Sequence, residues 1–401
     1  MDAGAGPQPV LPGDWLGMVG GGQLGRMFCH AAQSLGYRVA VLDPDTLSPA
    51  GAVADLHICA PYDDAQALQQ LTERCKAVTT EFENVPASSL EVLGQRSFMR
   101  PGAHAVAIAQ DRIREKAFLS QSGAPVAPYC PVQTADDLVK AGDDLFPGIL
   151  KVARLGYDGK GQARVRSRDE ALEAFKQFGE CPCVLEAMLP LASELSVVLA
   201  RSAQGEIVVF PSAVNVHHNG ILAVSSVDTQ PSNAELVSQA SFAARRIAEA
   251  LEYVGVLCVE FFVLHDGRLV ANEIAPRPHN SGHYSMNACV TSQFEQQARV
   301  TAGMPLGDTQ CLTSVVMLNL LGDLWFDPVT GQLREPDWAA ILALPGVKLH
   351  LYGKAEARRG RKMGHVNILA ESLETARHRA AQVATILGIS GELGLPAVSR
   401  A

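Results

Sequence analysis

The chain has 401 residues, 47% of them hydrophobic and 19% charged. That composition excludes a disordered or fibrous protein and suits about two or three domains, each able to bury a core. With 33 Lys+Arg against 42 Asp+Glu the net charge is -9, which argues against a nucleic-acid partner held on a broad basic surface, while leaving room for an anion in a local cationic pocket.

Residues 1–13, rich in Gly, Ala and Pro, read as a loose extension without the regions of a signal peptide. Residues 16–19 then read as a strand, 20–25 as a turn, 26–35 as a helix stopped by Gly36, and 37–42 as the next strand. A helix at 63–75 and a strand at 76–80 continue the alternation, which predicts a doubly wound α/β domain over 14–110. A charged helix at 111–122 ends at Gly123, and Pro125, Pro128 and Pro131 lead into a small unit over 111–190. There, strands at 149–152 and 162–166 flank a Gly-rich loop, and a helix at 169–178 and a strand at 184–186 follow. Beyond it, longer strands at 195–200, 207–210, 256–264 and 269–274 with a helix at 234–251 predict an α+β domain over 191–401, its regular structure ending near Leu387. No run approaches the length of a membrane span.

Nine cysteines lie between Cys29 and Cys311 without the spacing of a disulfide framework or a zinc ribbon, and Cys181 and Cys183 are separated by one residue rather than two. Reduced thiols and a cytoplasmic setting are expected.

Gly20-x-Gly22-x-x-Gly25 follows a strand and opens a helix, and Asp43 stands 23 residues after Gly20, so the dinucleotide-binding fingerprint is satisfied. The physics is less selective, because backbone N–H groups at a helix N-terminus donate to any phosphate. A nicotinamide site, a cradle for a substrate phosphate and a structural tight turn all fit.

Lys151 sits in an apolar run, where an ammonium calls for a negative partner unless the strand is a solvated edge. After it, Gly156-Tyr157-Asp158-Gly159-Lys160-Gly161-Gln162 is a loop able to cover a polyphosphate, though it lacks the Ser/Thr and the helix of a P-loop. Asp266-Gly267 between two apolar runs signals a hairpin. Pairing outward from its centre sets Leu264 opposite Leu269, Phe262 opposite Ala271 and Glu260 opposite Glu273. Like charges opposed across strands destabilise. Either both glutamates face solvent on a polar sheet face, or a cation lies between them, and oxygen ligands favour Mg²⁺ or Mn²⁺. Asn272 would complete or orient that coordination, and a loop one residue longer would undo the pairing.

Gly-Gly-Gly-Gln-Leu-Gly-Arg-Met at 20–27, Thr80-Glu81-Phe82-Glu83, the loop 156–162 and Glu273-Ile-Ala-Pro-Arg-Pro-His-Asn-Ser-Gly-His283 together resemble the ATP-grasp ligases. Among these they resemble the N5-carboxyaminoimidazole ribonucleotide synthetase family of purine biosynthesis, from about Gly17 to about Leu387. The resemblance implies an ATP-grasp fold behind a Rossmann-like pre-ATP-grasp domain. It implies ATP contacts at Arg112, Lys151, Gly156, Tyr157, Asp158, Gly159, Lys160, Gly161, Gln162, the hinge Glu186, Ala187, Met188 and Leu189, and at Glu194, His217, Asn272 and Glu273. Mg²⁺ is implied at Glu260 and Glu273. Aminoimidazole ribonucleotide is implied at Gly22, Gln23, Leu24, Glu81, Tyr157, Asp158, Lys160, Arg277, His279, Lys354 and Arg361. Arg112 stands where many ATP-grasp enzymes have lysine, Lys160 where some relatives have arginine, and Pro278 where others differ.

Apart from the resemblance, His217 reads equally as a turn histidine, Arg277 and His279 as strand-end caps, and Lys354 with the run Arg358, Arg359, Arg361 and Lys362 as a solvated basic face. The family makes carboxyphosphate from ATP and bicarbonate; Asp158, beside Tyr157, is the expected proton acceptor, and Tyr157, Lys160 and Arg277 are the other expected catalytic residues. A homodimer and coupling to a downstream mutase are implied, and no biotin. The alternatives are another ATP-grasp carboxylate–amine ligase, a nicotinamide-dependent oxidoreductase and a catalytically idle nucleotide-binding regulator.

Overall fold

Short apolar strands separated by amphipathic helices build the first layer, as periodicity predicts. The computed structural model describes residues 8–156 and 161–397. β1 (Trp15–Val19), β2 (Arg38–Leu42), β3 (Leu56–Ile58), β4 (Ala77–Thr80) and β5 (Phe98–Met99) form a parallel sheet in the order β3-β2-β1-β4-β5. Helices α1 (Gln23–Ser34), α2 (Ala65–Arg74), α3 (Ala87–Gly94) and α4 (Ala103–Ala109) belong to the same stretch. Alternate β1 residues feed different cores: Leu16 and Met18 join Phe28 of α1, whereas Val19 joins Leu68 of α2 and Leu90 of α3. The strand order reverses direction at β1 and β4, so a crevice opens past their C-terminal ends.

α5 (Arg112–Gln121) follows, with Asp111 capping it through Ile113 N–H at 3.1 Å. Next come β6 (Tyr129–Val132), α6 (Ala135–Lys140), β7 (Gly148–Val152), β8 (Gln162–Val165), α7 (Arg168–Gln177) and β9 (Cys183–Ala187), whose strands make an antiparallel sheet in the order β6-β9-β7-β8. Leu119 of α5 packs into the core of the third unit, beside Leu195 and Leu257, so the apolar side of the helix rests on the large sheet while the helix also crosses β9 of the small one.

That sheet is antiparallel and contains β10 (Leu191–Arg201), β11 (Ile207–Val209), β12 (Ala213–His218), β13 (Ile221–Val227), β14 (Gly255–Leu264), β15 (Leu269–Ala275), β16 (Ser314–Leu321), β17 (Val347–Leu351) and β18 (Lys362–Ala370). Its helices are α8 (Ala234–Ala250), α9 (Ser285–Ala288), α10 (Gln293–Ala302), α11 (Trp338–Leu342) and α12 (Leu373–Leu387). Ala298 and Ala302 of α10 complete the core on one face of the N-terminal sheet, and Arg100 donates to Val300 O at 2.9 Å across that junction. No helix among the described residues is long and apolar enough to cross a membrane.

The hairpin turn differs from the sequence expectation. Val263 pairs with Leu269, Phe262 with Val270 and Phe261 with Ala271, one residue out of the expected register. A bulge then leaves Asn272 without a partner, and beyond it Glu260 faces Glu273 as expected. The carboxylate pairing thus arises from two offsets that cancel.

Candidate active site

The chain leaves β1 through Gly20 at φ +107°, a value suited to glycine, and enters α1 three residues before the expected helix start. The cause is Glu81 at the end of β4, whose carboxylate accepts from the N–H of Gly22 and, at 2.8 Å, from that of Gly25. A methyl group on Gly22 would lie 2.5 Å from Glu81 Oε1. Asp43 is engaged as well, accepting from Gly21 N–H at 2.6 Å and from the Tyr62 hydroxyl at 2.6 Å. The helix N-terminus therefore already holds an anion, one supplied by the chain itself. Three of the loop's amides, those of Gly21, Gly22 and Gly25, are thus taken by the chain's own carboxylates, and Asp43 is engaged rather than free for a ribose.

The loop instead holds Gly22, Gln23 and Leu24 in the wall of a cleft of about 700 Å³, with Glu81 behind them. Arg277 and His279, from the segment after β15, line it too, as do Lys354 and Arg361 between β17 and β18. The basic run is tethered rather than loose: Lys354 donates to Lys362 O at 2.7 Å, Arg361 to Glu356 O at 3.0 Å, and Arg358 pairs with Glu356 at 2.8 Å. Arg277 is ion-paired to Glu83 of the N-terminal unit. Burial pushes the Glu83 carboxyl up, but the guanidinium outweighs it and holds the group below the usual carboxylate range. Burial, aided by the charge of Arg277, keeps His279 well below the usual imidazole range and hence neutral at pH 7. Tyr157, Asp158, Gly159 and Lys160 lie outside the described residues.

A second cluster forms where α5 crosses β9 and β15. Glu186, 3% exposed, lies between two cations, Lys116 at 3.0 Å and Lys151 at 3.0 Å. Burial alone would raise the Glu186 carboxyl, yet the two ammonium groups pull it below its ordinary value, and burial lowers Lys151. Lys116 is fully buried and also donates to Asn272 O at 2.8 Å. Sequence reasoning named Arg112 and missed Lys116, although it stands one turn further along the same charged helix, on the same face. Between them Glu115 accepts from Ile274 N–H at 2.6 Å. The expected adenine hinge is narrower than the segment 186–189: the N–H groups of Ala187 and Met188 are bonded to Pro128 O and Pro147 O, and the Glu186 side chain points to the lysines.

Arg112 reaches Glu273 at 3.0 Å, and although burial would raise that carboxyl, the guanidinium holds it low. Opposite, Glu260 is pushed up to about 7 by burial and by the charge of Glu273, and its Oε1 lies 3.4 Å from His279 Nε2. His217, where β12 bulges against β13, is ion-paired to Glu194 of β10, whose hydrogen bond outweighs burial and raises the imidazole. Lys151 pairs in register with Gln162, so Gly156, Gly161 and Gln162 place the described ends of the loop over the same region. Asn272 Oδ1 is buried without a hydrogen-bond partner, an acceptor lacking its donor or cation. Among the described residues no three His, Cys, Asp or Glu side chains converge as a cage for a metal ion.

Two antiparallel sheets whose cations and carboxylates meet in a cleft, set behind a parallel sheet, define an ATP-grasp enzyme. The ATP-grasp domain family matches residues 117–294, the ribonucleotide synthetase preATP-grasp domain matches 14–110, and the phosphoribosylaminoimidazole carboxylase C-terminal domain matches 315–379. The N5-carboxyaminoimidazole ribonucleotide synthase of Brucella melitensis is 46% identical over 360 residues, which cover 89% of this chain and 96% of that protein. That of Bacillus subtilis is 41% identical, covering 91% and 93%. A structure of an N5-carboxyaminoimidazole synthetase from Staphylococcus aureus complexed with ADP superposes with a TM-score of 0.86 at 35% identity, covering 95% and 99%. The Aspergillus clavatus enzyme in complex with ADP and 5-aminoimidazole ribonucleotide gives 0.82 at 30% identity, covering 94% and 98%. The chain belongs to the N5-carboxyaminoimidazole ribonucleotide synthase family and is an ATP-dependent ligase.

Proposed function

We propose that the chain catalyses the reaction for which its family is named: ATP, bicarbonate and 5-aminoimidazole ribonucleotide give ADP, phosphate and N5-carboxyaminoimidazole ribonucleotide. The observation that carries this reading is the continuity of β15 with the segment after it. Glu273 stands at the cationic cluster, Arg277 and His279 stand in the cleft wall a few residues later, and His279 touches Glu260. A group activated at one end is thus handed to an acceptor at the other without leaving the protein.

Lys151 and Arg112 neutralise the triphosphate, and Leu189 supplies the hinge N–H left for the adenine edge, since its two predecessors are engaged. A bicarbonate oxygen attacks the γ-phosphorus, ADP leaves, and carboxyphosphate forms in a site of fixed charges that need not reorganise. Carboxyphosphate breaks to CO₂ and phosphate, and the ribonucleotide amine attacks the CO₂ carbon. Asp158 takes the amine proton. Lys354 and Arg361 hold the ribonucleotide phosphate, a role suited to a basic run in an acidic protein. Neutral His279 and charged Arg277 orient the imidazole and the carboxylate that forms.

Mg²⁺ fits the residues present: Glu260 and Glu273 oppose each other, the Asn272 oxygen lacks a partner, and Mg²⁺ needs only one or two carboxylates beside substrate phosphates. When bound it would neutralise charge on the transferred phosphoryl group. The same reading takes the enzyme as a cytoplasmic homodimer, of three units over 14–110, 111–190 and 191–401, whose product passes to a carboxyl-shifting mutase. ADP release measured with each substrate omitted in turn tests the proposal. Release only with ribonucleotide and bicarbonate together is expected, and ADP formation indifferent to the ribonucleotide would overturn it.

A further inference from the structure

Two of the cysteines meet outside the active site. Cys289, just after α9, and Cys311, just before β16, face each other as an isolated antiparallel bridge. Leu312 N–H donates to Ala288 O at 2.7 Å on one side, and Val290 N–H to Gln310 O at 3.0 Å on the other. Those flanking bonds make 289 and 311 a non-hydrogen-bonded pair, in which Cα atoms stand about 4.5 Å apart and both side chains leave the same face. A disulfide spans Cα atoms roughly 4.4–6.8 Å apart, so a bridge requires no backbone movement.

We propose that Cys289 and Cys311 form a thiol–disulfide site, oxidised to an intramolecular bridge by a low-molecular-weight disulfide such as oxidised glutathione. The surroundings assign the order of events. Cys289 is 8% exposed, whereas Cys311 is half-buried and lines a separate cleft of about 660 Å³. Cys311 donates to Thr313 O at 3.2 Å, and the neighbouring Cys289 draws its thiol down to about 7 while Cys289 itself is raised by the same neighbour and by burial, so Cys311 is the more acidic of the two. The Cys311 thiolate attacks one sulfur of the oxidant and expels a thiolate, leaving a mixed disulfide at Cys311. Cys289 loses its proton and attacks the Cys311 sulfur, and the second thiolate departs. Two protein thiols are oxidised, one small disulfide is reduced to two thiols, and the two protons lost by the cysteines end, through solvent, on the departing thiolates.

The bridge closes a ring that contains α10. Gln293 of that helix holds His279 through its backbone N–H at 2.9 Å and its carbonyl at 2.8 Å, and Gln297 donates to Thr79 Oγ1 at 3.1 Å, two residues before Glu81. Oxidation therefore fastens the helix that ties the two walls of the substrate cleft. In a reducing compartment such a bond is transient, as suits a sensor rather than a structural staple.

The experiment is incubation of the full chain with oxidised glutathione, followed by peptide mapping without reduction. Wild type should yield a peptide linking Cys289 to Cys311, lost on adding dithiothreitol. Cys289→Ser should trap one glutathione on Cys311, because the resolving thiol is gone. Exposed Cys59 reports that the oxidant is active. Absence of the linked peptide in wild type while Cys59 is modified overturns the proposal, and so does a folded Cys289→Ser protein with no adduct at Cys311. The wild-type map does not depend on that variant folding.

Discussion

Glu260 faces Glu273 across β14 and β15 only because Asn272 is bulged out of the ladder between Glu273 and Ala271. The turn at Asp266-Gly267 alone would set Glu260 against Asn272. One inserted residue thus brings two carboxylates together and leaves a buried amide oxygen beside them, a costly arrangement without a cation.

Glu273→Gln is expected to lower ADP formation roughly a hundredfold or more, the scale of losing a principal electrostatic group at a transferred phosphoryl. The amide retains a contact with Arg112 and leaves the fold intact. Steady-state ADP release at saturating Mg²⁺, with circular dichroism alongside, checks this, and near-normal turnover would remove the carboxylate pair from the mechanism.

Lys116→Met removes one of the two cations beside Glu186 and leaves a buried carboxylate half-compensated. A loss of about 3–5 kcal/mol is expected, as for breaking one side of a buried pair. The double variant Lys116→Met with Glu186→Gln should recover part of it. Urea midpoints of wild type, the two single variants and the double variant decide, and a double variant as unstable as the sum of the singles would show that the two residues do not interact.

His283, His350 and His365 stack beneath the cleft, with His283 and His365 at 4.7 Å and His350 and His365 at 4.5 Å between ring centroids. Burial, then the neighbouring imidazoles, hold His283 and His365 well below the usual range, and burial lowers His350. The unfolded chain, with ordinary imidazoles near 6.5, therefore binds more protons. Stability from this cluster is present above about pH 6.5 and is lost as pH falls below it, by about 1.4 kcal/mol per pH unit for each histidine kept neutral. Carboxylates held low, such as Glu186, act only below their own unfolded value near 4.5. Denaturation midpoints at about pH 7.5 and 5.5 should fall less in His365→Gln than in wild type. An equal fall in both would rule out the cluster as the cause.

Asp158→Asn tests the proposed base. ADP is expected to form while carboxylated product falls roughly a hundredfold, the lower scale for loss of a general base. If product and ADP stay equal at a near-normal rate, Asp158 is only a turn residue.

The features legible before folding are those that a few neighbouring residues encode. The strand–turn–helix at Gly20, the strands bounding 156–162 and the apolar hairpin about Asp266-Gly267 were legible from period and turn chemistry, and motif matches brought Gly22, Glu81, Arg277, His279, Lys354 and Arg361 to one cleft. What those residues touch is set by long-range packing. Gly22 and Gly25 donate to the Glu81 carboxylate from 59 and 56 positions away, so a loop that reads locally as a phosphate site commits those amides to its own chain. Lys116 was overlooked because burial of a lysine depends on Glu186, 70 residues further on. The Asn272 bulge leaves no mark in the alternation of β15. Side-chain direction and turn type are short-range properties of the backbone, whereas partner choice for a charge depends on which surfaces the folded chain takes out of water.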